Sequence, residues 1–366
     1  MPKVIPPELV SLIAEFLVWT HKLCERTSQS VLAKNEFEKG MAGVNKAYRA
    51  IYMHEWFRSM TLHKVEDWDT AKDLDLAGHI RVLTLKENAL PSYALVKVHL
   101  DFSRFDFIHT LTLDCHNDVG QSASLGIKGQ WSYKKIVPAL PRKLKSLTIL
   151  NAHGPDLQII QKAIKQCIDL ESLTLGRCTK FNRPTGCEFW GHFPNDHDSY
   201  FSGQGVEGYA NALGTELQGL PKLKYIFVNV YLTDTKYLNE TSSVAAPTEE
   251  PQPQPPPTTE LVTVTSKRAP NAQVQAHLPL PVNSNPAQPE RREVKSKDQK
   301  DTEEAEKKAA DLLFGCHSSL QIVGFISYWS EDHLGWSVYE RNDGELKSPD
   351  PGGRLDGANT VRCLQS

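Results

Sequence analysis

The sequence has no run of apolar residues approaching the twenty or so that a membrane-crossing helix needs. Its opening, MPKVIPPELVSLIAEFLVWTHK, shows neither a basic start nor a small-residue cleavage site, so no export signal is read there. Short catalytic signatures are missing too. There is no glycine-rich phosphate loop, GxSxG elbow, HExxH pair or CxxC pair, and the chemistries that leave such traces are not expected. Charge of one sign is not in excess: 41 basic against 44 acidic residues leave −3, too little field for a protein that grips phosphates through bulk charge. Cysteine is sparse, with seven scattered residues, as suits free thiols in a reducing compartment. These absences point to a protein of the cytoplasm or nucleus, or both, with no membrane, nucleic-acid or cofactor partner and no enzymatic activity.

What is present is enough chain, 366 residues and 40% hydrophobic, for real cores. Residues 236–302 stand apart. Eleven of the 23 prolines fall within 236–301, including PTEEPQPQPPPTTE, and Phe, Trp and Cys are missing there. Such a composition buries too little apolar surface to offset the entropy of ordering, so a disordered, proline-rich insertion is expected, its ends roughly 45 Å apart as a flexible coil. It is read as a spacer, with docking of PQPQPPP in a polyproline groove as the other possibility. The basic pairs Lys267-Arg268 and Arg291-Arg292, with Lys295 and Lys297, are solvated charge or a weak nuclear signal.

The middle of the chain repeats one phrase, apolar-x-x-apolar-x-apolar. It appears as Ile80-Arg-Val-Leu83-Thr-Leu85, Ile108-His-Thr-Leu111-Thr-Leu113, Leu144-Lys-Ser-Leu147-Thr-Ile149, Leu170-Glu-Ser-Leu173-Thr-Leu175 and Leu223-Lys-Tyr-Ile226-Phe-Val228. A sixth copy, Leu320-Gln-Ile-Val323-Gly-Phe325, follows the proline-rich segment. Asn88 and Cys178 stand where a leucine-rich repeat places its turn residue. The final apolar pair of each copy predicts a short parallel strand facing a core, and the gaps leave room for returning helices at 155–167, 206–217 and 303–313. The fold class expected is α/β: a leucine-rich-repeat solenoid, or horseshoe, over 65–235, resumed with a C-terminal cap over 303–366. A hairpin turn at Asp343-Gly344 suits that cap.

Residues alternating with the core positions point to the concave face. The early strands present a ladder with Thr84, Thr112, Thr148 and Thr174. The later ones present Tyr225, Phe227, Ile322 and Ile326, with Tyr328 and Trp329 just beyond. These eight strand residues are the candidate substrate-binding set. The apolar end is either an exposed partner patch or covered by the chain's own C-terminal segment, and the threonines also suit plain β-propensity. Cys178, Cys187, His192, Asp196 and His197 fall close together, but their spacing is no familiar zinc pattern, and an irregular loop without metal is expected.

Before the repeats, Leu9, Leu12, Ile13, Phe16 and Leu17 recur at helical spacing and predict a helix over 7–18, with a second over about 36–56. The segment Ile5-Pro-Pro-Glu-Leu-Val-Ser-Leu-Ile-Ala-Glu-Phe-Leu17 resembles the opening helix of an F-box, and Val44-Asn-Lys-Ala-Tyr-Arg49 with Trp56-Phe57 resembles its later stretch. Residues 1–64 would then be an F-box-like helical unit. Together with the repeats, this is similar to the F-box and leucine-rich-repeat family, in particular the divergent members abundant in fungi. The resemblance implies docking on the Skp adaptor of a cullin-based ubiquitin ligase, with the repeats holding an unidentified substrate protein. It also implies adaptor contacts from Pro6, Leu9, Ile13, Leu17, Val44 and Tyr48. The sequence departs from the family by an insertion at 18–40. The other reading is a repeat scaffold without a ubiquitin role, whose N-terminal helices only cap the solenoid. Exposure of Leu9, Ile13 and Leu17 separates the two.

Overall fold

In every copy of the repeated phrase the last two apolar residues lie two apart, and a strand sends such residues to one face. The computed structural model follows that rule. It describes residues 5–24, 41–89, 102, 105–116, 139–152, 157–179, 181–182, 205–233, 295–330 and 333–341. Eight strands form one sheet in chain order: β1 (Ser59–Leu62), β2 (Val82–Leu85), β3 (Thr110–Asp114), β4 (Ser146–Ala152), β5 (Ser172–Arg177), β6 (Tyr225–Val228), β7 (Ile322–Ile326) and β8 (Trp336–Glu340). Strands β1 to β7 pair in parallel, and β8 returns antiparallel on β7. The class is thus α/β, with a mostly parallel open sheet.

The register is set at the start of each strand. The carbonyl of Arg58 accepts from the N–H groups of Arg81 and Val82, that of Arg81 from His109 and Thr110, and that of His109 from Lys145 and Ser146. The same step repeats through Lys145, Glu171 and Lys224 to Gln321. Each phrase therefore stacks on the preceding one at the same residue. Met60, Leu83, Leu111, Leu147, Leu173, Ile226 and Val323 form one buried column, joined with the following apolar residues into a continuous core. The one register shift lies between Ile149 and Ala152, where Asn151 takes φ +54° and its side chain donates to Asp114 Oδ1 at 3.1 Å.

Six helices occur among the described residues: α1 (Pro7–Cys24), α2 (Lys46–Phe57), α3 (Val65–Asp73), α4 (Leu157–Gln166), α5 (Gly205–Leu217) and α6 (Lys297–Cys316). Helix α4 buries Ile159, Ile160, Ala163 and, just past its end, Cys167. Helices α5 and α6 pack closely: a Cβ added at Gly214 would come within 2.8 Å of Cys316 Cβ. His317, which follows α6, shares its buried Nε2 between the carbonyls of Leu217 and Leu220, both at 3.1 Å. Arg341 follows β8 and donates to the carbonyls of Ser318, Phe314 and His317. It thereby ties the last strand to the unsatisfied C-terminal carbonyls of α6.

Several elements differ from the sequence expectation. The first helix runs to Cys24, into the stretch read as an insertion from residue 18. The second starts at Lys46 because Asn45 stops the chain there, its Oδ1 accepting from Tyr48 N at 2.9 Å. Strand β1 lies inside the unit expected to be wholly helical. Helix α6 begins at Lys297 behind the cap Ser296, so 297–302 belong to a helix and not to the proline-rich insertion. Lys295 pairs with Glu303 at 2.7 Å there. The rest of that insertion, most of the stretch between α1 and α2, the span from Cys187 to His197 and the Asp343-Gly344 turn lie outside the described residues. Asn88 is exposed in a short 3-10 turn, while Cys178 is buried, its N–H donating to Ala152 O at 2.9 Å.

Candidate functional site

Helix α1 is apolar on more than one side, and its two faces have different fates. Val10, Ala14 and Val18, each four residues apart, are buried against α2 and join the core that continues through Tyr52, Trp56 and Phe57 into the sheet. Leu9, Ile13 and Leu17 lie on the open side with relative exposures of 50%, 45% and 36%. Ile5, Leu12, Phe16 and Trp19 are exposed as well, as is Val44 just ahead of α2. Of the residues that the family resemblance implicates, Pro6, Leu9, Ile13, Leu17 and Val44 are exposed and Tyr48 is half-buried. Ile80 and Leu83 lie in the repeat core at 0% exposure, and Tyr48 packs against the cluster that contains them. Large exposed apolar surface of this kind is what interaction sites are made of.

The second surface is the face of the sheet turned away from the core. Thr61, Thr84, Thr112, Thr148 and Thr174 stand in one register column across β1 to β5, every one half-buried. The four sequence candidates Thr84, Thr112, Thr148 and Thr174 are therefore neighbours on one face. Tyr225 and Ile322 are half-buried and line an open cleft of about 760 Å³ at the starts of β5 to β7 and the end of β8, with Glu171, Lys224, Gln321 and Arg341 among its other walls.

Phe227 and Ile326 behave differently: of the two alternatives for the apolar end, an exposed patch or a covered one, they are covered, so these two candidates are not on an open surface. Phe227 is 4% exposed and Ile326 2%. The Phe227 ring lies across Gly324, where an added Cβ would meet Phe227 Cδ1 at 2.4 Å, and Trp336 of β8 meets it edge-on with centroids 5.5 Å apart. Ile326 packs with Tyr231 and Tyr328, also buried. Trp329, half-buried, donates its indole N–H to Thr302 Oγ1 at 3.1 Å. The chain's own last strand thus covers the aromatic end of the sheet. A hairpin does close it, as β7 and β8, whose connection lies at 327–335.

Sequence reasoning missed one repeat and one column of side chains. Phe57-Arg-Ser-Met60-Thr-Leu62 fits the repeated phrase and forms β1; it had been absorbed into the helical unit. The missed column precedes the strands: Arg58, Arg81, His109, Lys145, Glu171, Lys224 and Gln321, the second residue of each phrase. Arg81 rests its guanidinium over the exposed Phe107 ring at 4.6 Å and donates to the carbonyls of Gly78 and Ile80. Lys224 meets Glu171 at 2.8 Å, and Lys222 meets Asp169 at 2.5 Å. Both acids are held below the usual carboxylate range, chiefly by hydrogen bonds from those lysines. Burial first, and then the charges of Arg58, Arg81 and Lys145, hold the His109 imidazole below its ordinary pKa.

No group of three or more His, Cys, Asp or Glu side chains among the described residues is placed to hold a metal ion, and no helix among them is long and apolar enough to cross a membrane. Cys167 is buried and its thiol is pushed up to about 12, which makes it inert as a nucleophile. No protein-family model, curated protein or solved structure matches the chain.

Proposed function

We propose that this chain is the substrate-recognition subunit of a Skp-cullin-F-box ubiquitin ligase of the cytoplasm or nucleus. In this reading its N-terminal helices dock the Skp adaptor, and through it a cullin. The stacked strands form a leucine-rich-repeat solenoid whose open face holds the substrate protein, and the subunit itself performs no catalysis. The observation that carries the reading is the exposed row Leu9, Ile13 and Leu17, joined by Leu12, Phe16 and Val44, on a helix already anchored by Val10, Ala14 and Val18. A helix that only capped the repeats would need its buried face alone.

One observation favours the narrower reading, a repeat scaffold in which these helices serve as a cap. The core of the helical unit runs without a break into β1. The two roles use opposite faces of α1, so capping does not exclude docking. The test is capture of the Skp adaptor by the full chain and by the variant Leu9→Asp/Ile13→Asp/Leu17→Asp. Substitution serves better than truncation, because α2 leads within two residues into β1 and its removal would strip the edge of the sheet. Capture by the parent and not by the variant, with both folded, supports the ligase reading. Failure of the parent to capture the adaptor leaves the scaffold.

A further inference from the structure

The open face of β1 to β4 has a composition that its neighbours lack. At its leading edge Arg58, Arg81, His109 and Lys145 follow one another across adjacent strands, linked carbonyl to N–H. Behind them come Ser59, Val82, Thr110 and Ser146, and then Thr61, Thr84, Thr112 and Thr148, in strict register. These positions hold the cations Arg58, Arg81 and Lys145, the imidazole of His109 and seven hydroxyls; the carboxylate of this face is Asp114 at the end of β3, whose Oδ1 accepts from Asn151 Nδ2 at 3.1 Å. The acids at the margin include Glu55, 3.6 Å from Arg58, Glu171, 3.5 Å from Lys145, and Asp75 on the turn before β2. On the turns before β3 and β4 Arg142 and Lys143 outweigh Asp106. Lys143 shares the Phe107 ring with Arg81 at 5.2 Å. Arg58 and Lys145 keep 53% and 62% of their side chains exposed.

We infer that this face binds an acidic segment of a partner polypeptide, its Asp and Glu carboxylates lying along the basic row and its backbone over the hydroxyls. The inference rests on the reading of the sheet's open face as the substrate-holding surface and names the chemistry that surface selects. The shape argues for a run of single charges. Neighbouring strands stand about 4.8 Å apart, so the row from Arg58 to Lys145 spans about 14 Å, the reach of four or five extended residues. Basic groups set out in line, and not converging on a cup, suit carboxylates spread along a chain better than one multiply charged group. Serine and threonine hydroxyls accept as well as donate and so serve a peptide backbone. A nucleic acid would stack its bases on rings, and the strands β1 to β4 offer none on the open face, while the exposed Phe107 beside the row already carries Arg81 and Lys143. The positive field is already registered by His109, held below its ordinary pKa by burial and then by Arg58, Arg81 and Lys145.

The experiment uses the full chain and three labelled probes: a short Asp/Glu-rich peptide, its Asn/Gln counterpart and a single-stranded RNA. The acidic peptide is expected to bind and the neutral one not, with affinity falling about tenfold between about 50 mM and 500 mM salt. Arg58→Glu/Lys145→Glu is expected to weaken the peptide at least about tenfold while leaving adaptor capture and thermal stability unchanged. The control Lys300→Glu/Lys307→Glu, which removes the same charge from exposed sites on α6, is expected to leave peptide binding intact. Peptide affinity unmoved by the first pair, lowered equally by the control pair, or exceeded by RNA would overturn the inference, as would no binding of the acidic peptide. Adaptor capture lost in the Leu9, Ile13 and Leu17 variant reports on the ligase reading alone, so the two ideas fail separately.

Discussion

Glu306 gives this fold a pH dependence of unusual sign. It sits on α6 under β8, 1% exposed, with Oε2 accepting from Tyr339 Oη at 3.2 Å and Oε1 without a hydrogen-bond partner. Burial is the main reason its pKa is pushed up to about 8; hydrogen bonds from Ser337 and Tyr339 act against the rise, and the nearby Glu303 charge adds to it. The same burial and the Glu306 and Glu303 charges push the Tyr339 phenol up, so it remains a donor. A raised carboxyl pKa means that the folded chain binds a proton which the unfolded chain releases. Between the ordinary carboxyl pKa, 4.5, and about 8, stability therefore falls as pH rises. At about 1.4 kcal/mol for each pH step the full span is worth about 5 kcal/mol. Relaxation and water entry reduce that, and a loss on the order of 2 to 4 kcal/mol is expected. Glu306→Gln keeps shape and polarity and cannot ionise. The measurement is urea unfolding of parent and variant from pH 5 to pH 8.5. Their difference should be near zero at the acid end and favour the variant increasingly toward pH 8. The ion-paired acids Asp169, Glu171 and Glu207 have lowered pKa values and contribute stability that is lost on acidification, but they cancel in this difference. A pH-independent difference would refute the reasoning.

Gly324→Ala should destabilise the chain by about 1–3 kcal/mol through overpacking, since its Cβ meets the Phe227 ring; adding Phe227→Leu should recover part of that loss in a thermal-melt double-mutant cycle. Thr302→Val removes the hydroxyl that accepts from the Trp329 indole N–H and donates to Thr233 Oγ1, and urea unfolding should register about 1–3 kcal/mol. Asn45→Ala removes the cap of α2 and should cost about 0.5–2 kcal/mol by the same assay.

Strands β2 to β7 were legible because each repeats one local pattern, and a two-residue alternation fixes both the strand and its buried face. What escaped was whatever a neighbouring element decided. Phe57-Arg-Ser-Met60-Thr-Leu62 carries the pattern in full, yet it follows α2 with a single residue between helix and strand, so helical periodicity claimed Phe57 first. Asn45 held the true start of α2, a capping signal that the apolar spacing of the stretch before it obscured. Phe227 and Ile326 alternate correctly with the core. Phe227 is covered by Trp336 of β8, which pairs with β7 only after a turn, and Ile326 by Tyr231 and Tyr328 beyond β6 and β7, none of which any spacing within those strands announces.

The candidate surfaces were legible to different degrees for a related physical reason. On α1 the residues at 9, 13 and 17 and those at 10, 14 and 18 are both rows at helical spacing. Periodicity found the larger side chains, and elsewhere larger apolar side chains are the buried ones. Here the smaller row is buried, because Ala14 at 0% exposure lets α2 approach closely and Val10 and Val18 close the contact on either side. The larger row is thereby left on the exposed side of the helix. The basic row on the sheet follows from the opposite circumstance. Its members occupy a position where stacking requires the backbone carbonyl, so the sheet itself does not dictate which side chain stands there. What holds them is local: Arg81 donates to the carbonyls of Gly78 and Ile80 and lies over Phe107, Lys145 meets Glu171, and His109 contacts the Thr110 hydroxyl, so a row that forms only across strands is announced by no periodicity along any one of them.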